Sequence, residues 1–474
     1  MLWLSLYFPH LPLEIFQRGA AAPEPAAVGS GGRRPEVLVC NREAQARGVR
    51  PGMSVSAARA LAGELRVYSR DAGAEAVALG NIAAWAGQFT PAVSQQPPWG
   101  LLLEVAGSLR LFGGLDAIFL RVRQGLGEMG YTALCACAPT PLGAWLFARA
   151  GMELQVRGAG ELERRLRPLP VALLSLPPAT AEALDAVGIR TLGECLAQPR
   201  DGLARRFGQG LLDDLDRALG RMPDPRKFFI PPPRFESGLE LPAEVGEAEA
   251  VLFAARRLLL ELEGFLKGRG GGVQRCVLDL LHDGLPPTRV EIGLASPDRD
   301  SRRLQELLRE RLVRTELPAP VRALALAADR IVPLGGRNLS LFPDASQEEE
   351  NWDRFVERLR ARLGAEAVHG ICPVPDHRPE HAWRACSPGH EVAAPASGPR
   401  PLWLLPKPRP LPKVSGRPCL GGPLALKHGP ERIESGWWDG QPVARDYYVA
   451  ETPAGARFWI FWEGGGWYVH GIAG

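Results

Sequence analysis

Six residues able to bind a transition metal crowd one short stretch, HGICPVPDHRPEHAWRACSPGH: His369, Cys372, His377, His381, Cys386 and His390. Four thiolate or imidazole ligands would make a tetrahedral zinc site, but structural zinc sites repeat their ligands at short, regular spacings. These spacings fit no such finger, and the prolines between them read as extended chain. No metal and no cofactor is expected. The other cysteines, Cys40, Cys135, Cys137, Cys195, Cys276 and Cys419, are spread without a framework. With no export signal, all eight read as reduced thiols in a cytoplasmic protein. Cys135 and Cys137 alternate with alanine and read as two core side chains on one strand face. The run LARRFGQG offers Arg205 and Arg206 as ligands for phosphate. A net charge of +3 is too small to name a partner from bulk field alone. Trp437, Trp438, Tyr447, Tyr448, Trp459, Trp462 and Trp467 cluster at the C-terminus. A small β module needs large side chains for its core, so most are assigned to the core and an exposed minority to a partner surface.

These groups need elements to hold them. The chain opens MLWLSLYFPHLPLE, with no charge before Glu14. It does not read as a signal peptide, since no Lys or Arg precedes Leu11 and Pro9 and Pro12 break the run. It is shorter than the roughly 20 apolar residues of a spanning helix. The remaining reading is a central strand, Leu2–Phe8, buried on both faces. Residues 20–35 read as a flexible loop and EVLVC as a strand. Pro51-Gly52 reads as a turn, followed by a helix capped by Ser54 or Ser56. EAVALGNIAAWAGQFT reads as an amphipathic helix, GLLLEVAGSLRLFGG as a strand ending in glycines, YTALCACAPT as a strand and PLGAWLFARA as a helix. Residues 161–228 read as a small helical domain, and FFIPPPRFES as a stiff linker. Between 236 and 334, strands VQRCVLDLLHD, TRVEIGLA and VRALALAADRIVPL alternate with two helices. QEEENWDRFVERLRARLG reads as a further amphipathic helix within 345–370. Residues 371–430, with eight Lys/Arg against three Asp/Glu, read as a basic proline-rich linker. Residues 431–474 read as an antiparallel β module. The fold class is thus α+β, multidomain.

This order resembles the palm, fingers, thumb and little finger of Y-family translesion DNA polymerases over residues 1–345. The motifs that carry the likeness are ARGVRPGMSVSAARAL (fingers), LLLEVAGSLRLFGG and LCACAPTPLGAWLFARA (palm). The resemblance implies a palm at 1–160 with a fingers insertion at about 36–70, a helix-hairpin-helix thumb at 161–228 and a little finger at 236–334. Nucleotidyl transfer in that family uses two Mg²⁺ ions held by carboxylates. Ser5, Trp99 and Gly100 stand where those acids are expected, and Glu104 lies about 13 Å beyond Gly100 along the strand. A Tyr-x-x-Arg grip on the triphosphate is replaced by Arg42 and Gln45. The chain is therefore expected to be no enzyme, and to resemble a catalytically inactive branch of the family that carries a long C-terminal extension. That branch implies a scaffold for error-prone translesion synthesis. It would bind damaged primer-template DNA and the sliding clamp, and recruit the RecA-like protein ImuA and an error-prone C-family polymerase. The alternative is a divergent active translesion polymerase.

Two peptides sharpen this. GGRNLSLFPD, 335–344, resembles bacterial clamp ligands of the type Gln-x-x-Leu-Phe, with Asn338, Leu339, Leu341 and Phe342 as contacts. The thumb hairpin SLPPA carries Pro177 and Pro178, which offer no N–H to a phosphate. Arg205, Arg206, Arg256, Lys267, Arg269 and Arg275 are the candidate DNA contacts.

Overall fold

The first strand, β1 (Trp3–Tyr7), lies in the middle of its sheet and is buried along almost its whole length. The computed structural model describes residues 1–18, 24–334, 352, 355–360, 362–389, 400–401 and 403–473. The chain divides into two compact units, Met1–Glu350 and Asn351–Gly474.

In the first unit, β1 is followed by α1 (Leu11–Gln17), β2 (Ala26–Gly29), β3 (Val37–Cys40), α2 (Arg42–Ala46), α3 (Val55–Leu61) and β4 (Arg66–Ser69). Ser54 caps α3 by accepting from Ala57 N. Residues 20–35 are not simply a loop. The short β2 within them pairs antiparallel with β3 and parallel with β4. Its residues AAVG have weak strand preference by themselves, and both neighbours supply the ladder.

Next come α4 (Ala72–Ala86), β5 (Val93–Gln96), β6 (Gly100–Glu104), α5 (Leu109–Phe112), α6 (Leu115–Met129), β7 (Leu134–Ala138) and α7 (Pro141–Arg149). The strand reading of GLLLEVAGSLRLFGG holds only to Glu104. Gly113 and Gly114, at φ +82° and +114°, open α6, which the sequence reading missed. The sheet order is β5-β6-β1-β7, with all neighbours antiparallel. Period-2 alternation sorts its side chains. Leu4, Leu6, Leu101, Leu103, Cys135 and Cys137 share one core with α4 and α6. Trp3, Leu102, Ala136 and Ala138 share another with α7. The α4 helix is not amphipathic as expected. From Ile82 to Ala86 every residue is buried, because α4 also packs on a helix from later in the chain.

The core under α7 continues into α8 (Ala159–Leu166), α9 (Pro178–Ala186), α10 (Leu192–Leu196), α11 (Arg200–Phe207) and α12 (Gln209–Leu219). A second sheet follows, from β8 (Phe235–Val245), α13 (Ala248–Gly268), β9 (Gly271–His282), β10 (Thr288–Asp298), α14 (Ser301–Leu312), β11 (Val321–Ala328) and β12 (Ile331–Pro333). Its order is β10-β9-β11-β8, with β12 beside β9. Strand β8 was unread.

Helix α13 fastens this sheet to α4 and α6. Trp85 of α4 is wedged between Gly125 of α6 and Gly264 of α13, and a Cβ on either glycine would overlap the indole. Beside it, the buried Arg18 guanidinium pairs with Glu261 of α13 and donates to the Tyr131 hydroxyl. Arg18 Nε also donates to Met129 O at 3.1 Å. Ser237 Oγ of β8 donates to Glu261 at 2.5 Å, and Asn81 of α4 donates to Ser237 at 3.1 Å. Burial is the largest single influence and would lower the Arg18 pKa, but Glu261 by charge and hydrogen bond, with Tyr131 and Glu14, together outweigh it and the net direction is up. Burial holds the Tyr131 phenol protonated.

In the second unit, β13 (Gly370–Pro373) and β14 (Trp383–Cys386) form a hairpin closed by a Cys372–Cys386 disulfide. The reduced-thiol reading fails for this pair; Cys40, Cys135, Cys137, Cys195, Cys276 and Cys419 are free. The remaining strands are β15 (Trp403–Leu411), β16 (Lys413–Val414), β17 (Arg417–Pro418), β18 (Ala425–Ser435), β19 (Val443–Glu451), β20 (Arg457–Glu463) and β21 (Gly466–Ala473). They include a five-stranded sheet of order β15-β21-β20-β19-β18. The described residues of 371–430 are therefore not a simple linker, since they supply strands to these sheets. Pro406, Pro408 and Pro410 alternate along β15, an edge strand, and one row of its backbone groups needs no partner strand. Among the described residues of the expected 345–370 helix, 352, 355–360, 362 and 363 are helical. Among the described residues, no helix is long and apolar enough to cross a membrane.

Removing one member of a buried ion pair strands the other charge, typically at about 3–5 kcal/mol. Glu261→Ala is therefore expected to lower unfolding free energy by about that amount in urea titrations. Arg275→Ala, whose partner Glu291 is exposed, is expected to cost under about 1 kcal/mol.

Candidate functional site

Strand alternation puts Ser5, Tyr7, Gly100, Leu102 and Ala136 in register on the face that α7 covers. Ser5 is fully buried, and among the described residues its Oγ has no hydrogen-bond partner. A Cβ on Gly100 would overlap the six-membered ring of Trp145, which stands edge-on to Tyr7 at 5.5 Å. The space above Gly100 thus holds an indole from α7. Trp99 points to the other face and joins the core under α4. Its Nε1 donates to Glu75 at 2.8 Å, and Arg70 grips both oxygens of that carboxylate at 2.8 and 2.9 Å. Glu104 accepts from Leu2 N at 3.0 Å and Ala106 N at 3.2 Å, so it ties the start of β1 to the turn after β6.

Sequence reasoning overlooked Glu75 and Trp145. The signal for Trp145 was a tryptophan in an Ala-rich helix opposite a lone glycine, and it needed the register of β6 to be seen. Ser5, Gly100, Trp145 and Tyr7 together offer no carboxylate oxygen, and an indole edge cannot hold a divalent cation. Among the described residues no three of His, Cys, Asp and Glu gather as a metal site.

In the expected nucleotide grip, Arg42 is exposed at the start of α2. Gln45 donates to Cys40 O at 3.2 Å and so ties down its own turn. The two proline positions of the thumb hairpin fall at the start of α9. Pro177 is its N-cap and Pro178 its first residue, and only a single 3-10 turn, Val171–Leu173, precedes them.

The candidate DNA contacts differ in whether their charges are already engaged. Arg205 and Arg206 are exposed on the last turn of α11, with Arg206 over the Phe207 ring at 5.6 Å. Arg256 is exposed on α13. Lys267 pairs with Glu263 at 2.5 Å. Arg269 donates to Pro232 O at 2.7 Å and pins the proline segment that precedes β8. Arg275 lies across the sheet from Glu291, paired at 2.7 Å, and its neighbour Arg289 is paired with Asp279 at 2.9 Å. Arg205, Arg206 and Arg256 are thus unpaired among the described residues, while Lys267, Arg269 and Arg275 already spend their donors inside the protein. Asn338, Leu339, Leu341 and Phe342 lie outside the described residues.

In the second unit the aromatics divide as expected. Tyr447, Trp459 and Phe461 are buried together. Trp437 and Trp438 are 74% and 58% exposed. Their turn is held from below by buried Arg378, which pairs with Asp376 and Asp439 and donates to Gln441 O at 3.2 Å. Tyr447 also hydrogen-bonds His470 Nδ1 at 2.7 Å, and burial pushes that imidazole down to about 4.

The family described as "IMS: impB/mucB/samB family" matches residues 18–149. Among solved structures, the insertion ternary complex of Dbh DNA polymerase is similar at a TM-score of 0.41 and 19% identity, covering 70% of this chain and 100% of that one. DinB from Sulfolobus solfataricus is similar at 0.39 and 19%, with the same coverage. DNA polymerase IV 2 of Mesorhizobium japonicum is 32% identical over 210 residues, 43% of this chain and 49% of that protein. Protein ImuB of Caulobacter vibrioides is 30% identical over 459 residues, which cover 90% of this chain and 100% of that protein. With that identity sustained along the whole Caulobacter protein, and the impB/mucB/samB match inside its N-terminal part, the chain belongs to the ImuB family of Y-family polymerase-related proteins.

Proposed function

We propose that this protein is a non-catalytic, polymerase-like scaffold for error-prone translesion synthesis. One observation carries the reading: the Trp145 ring fills the space above Gly100, on the sheet face that also bears Ser5. Ser5, Trp99 and Gly100 stand, in this reading, at the positions of lost carboxylates. The residues present do not fit two Mg²⁺ ions, because none of them offers a carboxylate oxygen. A glutamate at 100 would have to displace the indole from a packed core, at about 1–3 kcal/mol. In the same reading the protein holds damaged primer-template DNA, binds the sliding clamp and brings ImuA and an error-prone C-family polymerase to the lesion.

Purified protein is expected to extend no primer in Mg²⁺ or Mn²⁺, and Ser5→Asp with Gly100→Glu is expected to melt earlier without gaining activity. Template-directed extension that co-purifies with the chain through successive columns overturns the reading and returns the protein to the active polymerases.

DNA contact rests best on Arg205 and Arg206, which are exposed and unpaired. Each phosphate neutralised contributes about −0.9 to the slope of log affinity against log salt. Replacing both by alanine is expected to weaken primer-template binding at low salt and to flatten that slope by up to about 1.8. An unchanged slope places the DNA elsewhere.

Clamp binding rests on Leu339, Leu341 and Phe342, with Asn338 as the orienting amide. Truncating a buried anchor typically costs about 2 kcal/mol or more, over tenfold in affinity. Leu341→Ala with Phe342→Ala is expected to abolish clamp binding while melting temperature and DNA affinity stay put. Earlier melting with no clamp binding in the parent chain would mean that these side chains serve the fold instead.

A further inference from the structure

A cleft of about 960 Å³ opens where α4 and α6 meet α13 and α14. That size lies within the roughly 300–1,000 Å³ of sites that hold a ligand or a short peptide. The floor is apolar: Phe89, Phe112 and Leu260 line it, with Trp85 beneath. Its rim is cationic. Arg121 comes from α6, Arg256 from α13, and Arg299 and Arg302 from the start of α14. Among the described residues none of these four guanidinium groups has a carboxylate partner. The carboxylates of the lining are already committed. Glu263 accepts from Lys267 and, at 3.4 Å, from Ser301 N; Asp300 accepts from Arg302 N; Glu128 accepts from Gln124. The cleft therefore has unmet demand for anions above a surface suited to apolar side chains.

We propose that this cleft is a docking site for an acidic peptide segment of a partner protein, one that sets Leu or Phe into the floor and Asp or Glu against the arginines. Guanidinium groups suit carboxylates because they bind them bidentately. Gln88, Gln124 and Gln305 also line the cleft, and their amides offer both donors and acceptors to a peptide backbone. A nucleic-acid strand fits the same lining poorly. Trp85 and Phe89 are each only 4% exposed and present no face for a base, and the Arg121 guanidinium already sits over Phe112 at 5.4 Å. The site is independent of the polymerase-like face, which lies on the other side of the first sheet, under α7.

The test is a selection from a displayed library of random peptides on the immobilised full-length protein, in parallel with Arg256→Glu/Arg302→Glu. Both arginines are exposed and unpaired, so the variant is expected to keep the parent's melting temperature. Peptides rich in Asp and Glu with Leu or Phe are expected to enrich on the parent and not on the variant. The most enriched peptide, labelled with fluorescein, is expected to lose about tenfold or more in affinity to the variant by anisotropy, and to bind Arg205→Glu/Arg206→Glu as well as the parent. Oligothymidylate is expected not to displace it. No acidic enrichment, or enriched peptides that bind the variant equally, overturns the proposal. So does displacement by oligothymidylate that itself requires Arg256 and Arg302, which would make the cleft a nucleic-acid site.

Discussion

The Arg18–Glu261 ion pair fixes the geometry of the first unit. It joins the end of α1 to the middle of α13, 243 residues later, and both side chains are almost wholly buried. A buried pair is costly unless its remaining hydrogen-bonding groups are met. Here they are: Tyr131, Met129 O and Ser237 take the other positions, and Asn81 completes the chain. Such a network has one satisfied arrangement, so it specifies where α13 sits even if it adds little net stability. The Trp85 wedge needs that placement, because Gly125 and Gly264 give it room only at this separation. The cleft between α6, α13 and α14 is the open end of the same junction.

A central strand that is buried on both faces leaves little room for charge. In the first sheet, Ser5, Leu102 and Ala136 sit in register beneath α7, and Gly100 yields its side-chain space to Trp145. An acid here would need water or a cation, and the packed indole admits neither. The same face thus makes a continuous core with the helices α8 to α12. The sheet and the helical region that carries Arg205 and Arg206 therefore stabilise one another through a shared core.

The second unit divides its aromatic rings between a core and the surface. Tyr447, Trp459 and Phe461 supply the apolar area that a small sheet needs. Trp437 and Trp438 are surplus to that core. Arg378, held by two aspartates, fixes their turn from beneath, and the disulfide-closed β13–β14 hairpin lies in the same segment of chain. Rigid, exposed tryptophans lose little entropy when a partner covers them, which is why such residues dominate binding surfaces.

The sequence by itself determined what each residue's near neighbours dictate. The two-faced apolar run of β1, the alternation that puts Cys135 and Cys137 on one face, and the Ser54 cap were all legible. So were the absence of acids at 5, 99 and 100 and the surplus of terminal tryptophans. The tertiary structure alone decided the long-range partners. Strand β2 exists because β3 and β4 flank it, and β15 tolerates three alternate prolines because it is an edge. Six cations that look alike in sequence separate into ones on α11 and α13 that are unpaired among the described residues and ones already paired or bonded within the protein. The indole that fills the place above Gly100 comes from a helix 45 residues downstream in the chain. Pattern reveals which face a side chain takes. What meets it there depends on how distant elements pack, and that contact decides whether a charge is spent, a cavity is filled or a site survives.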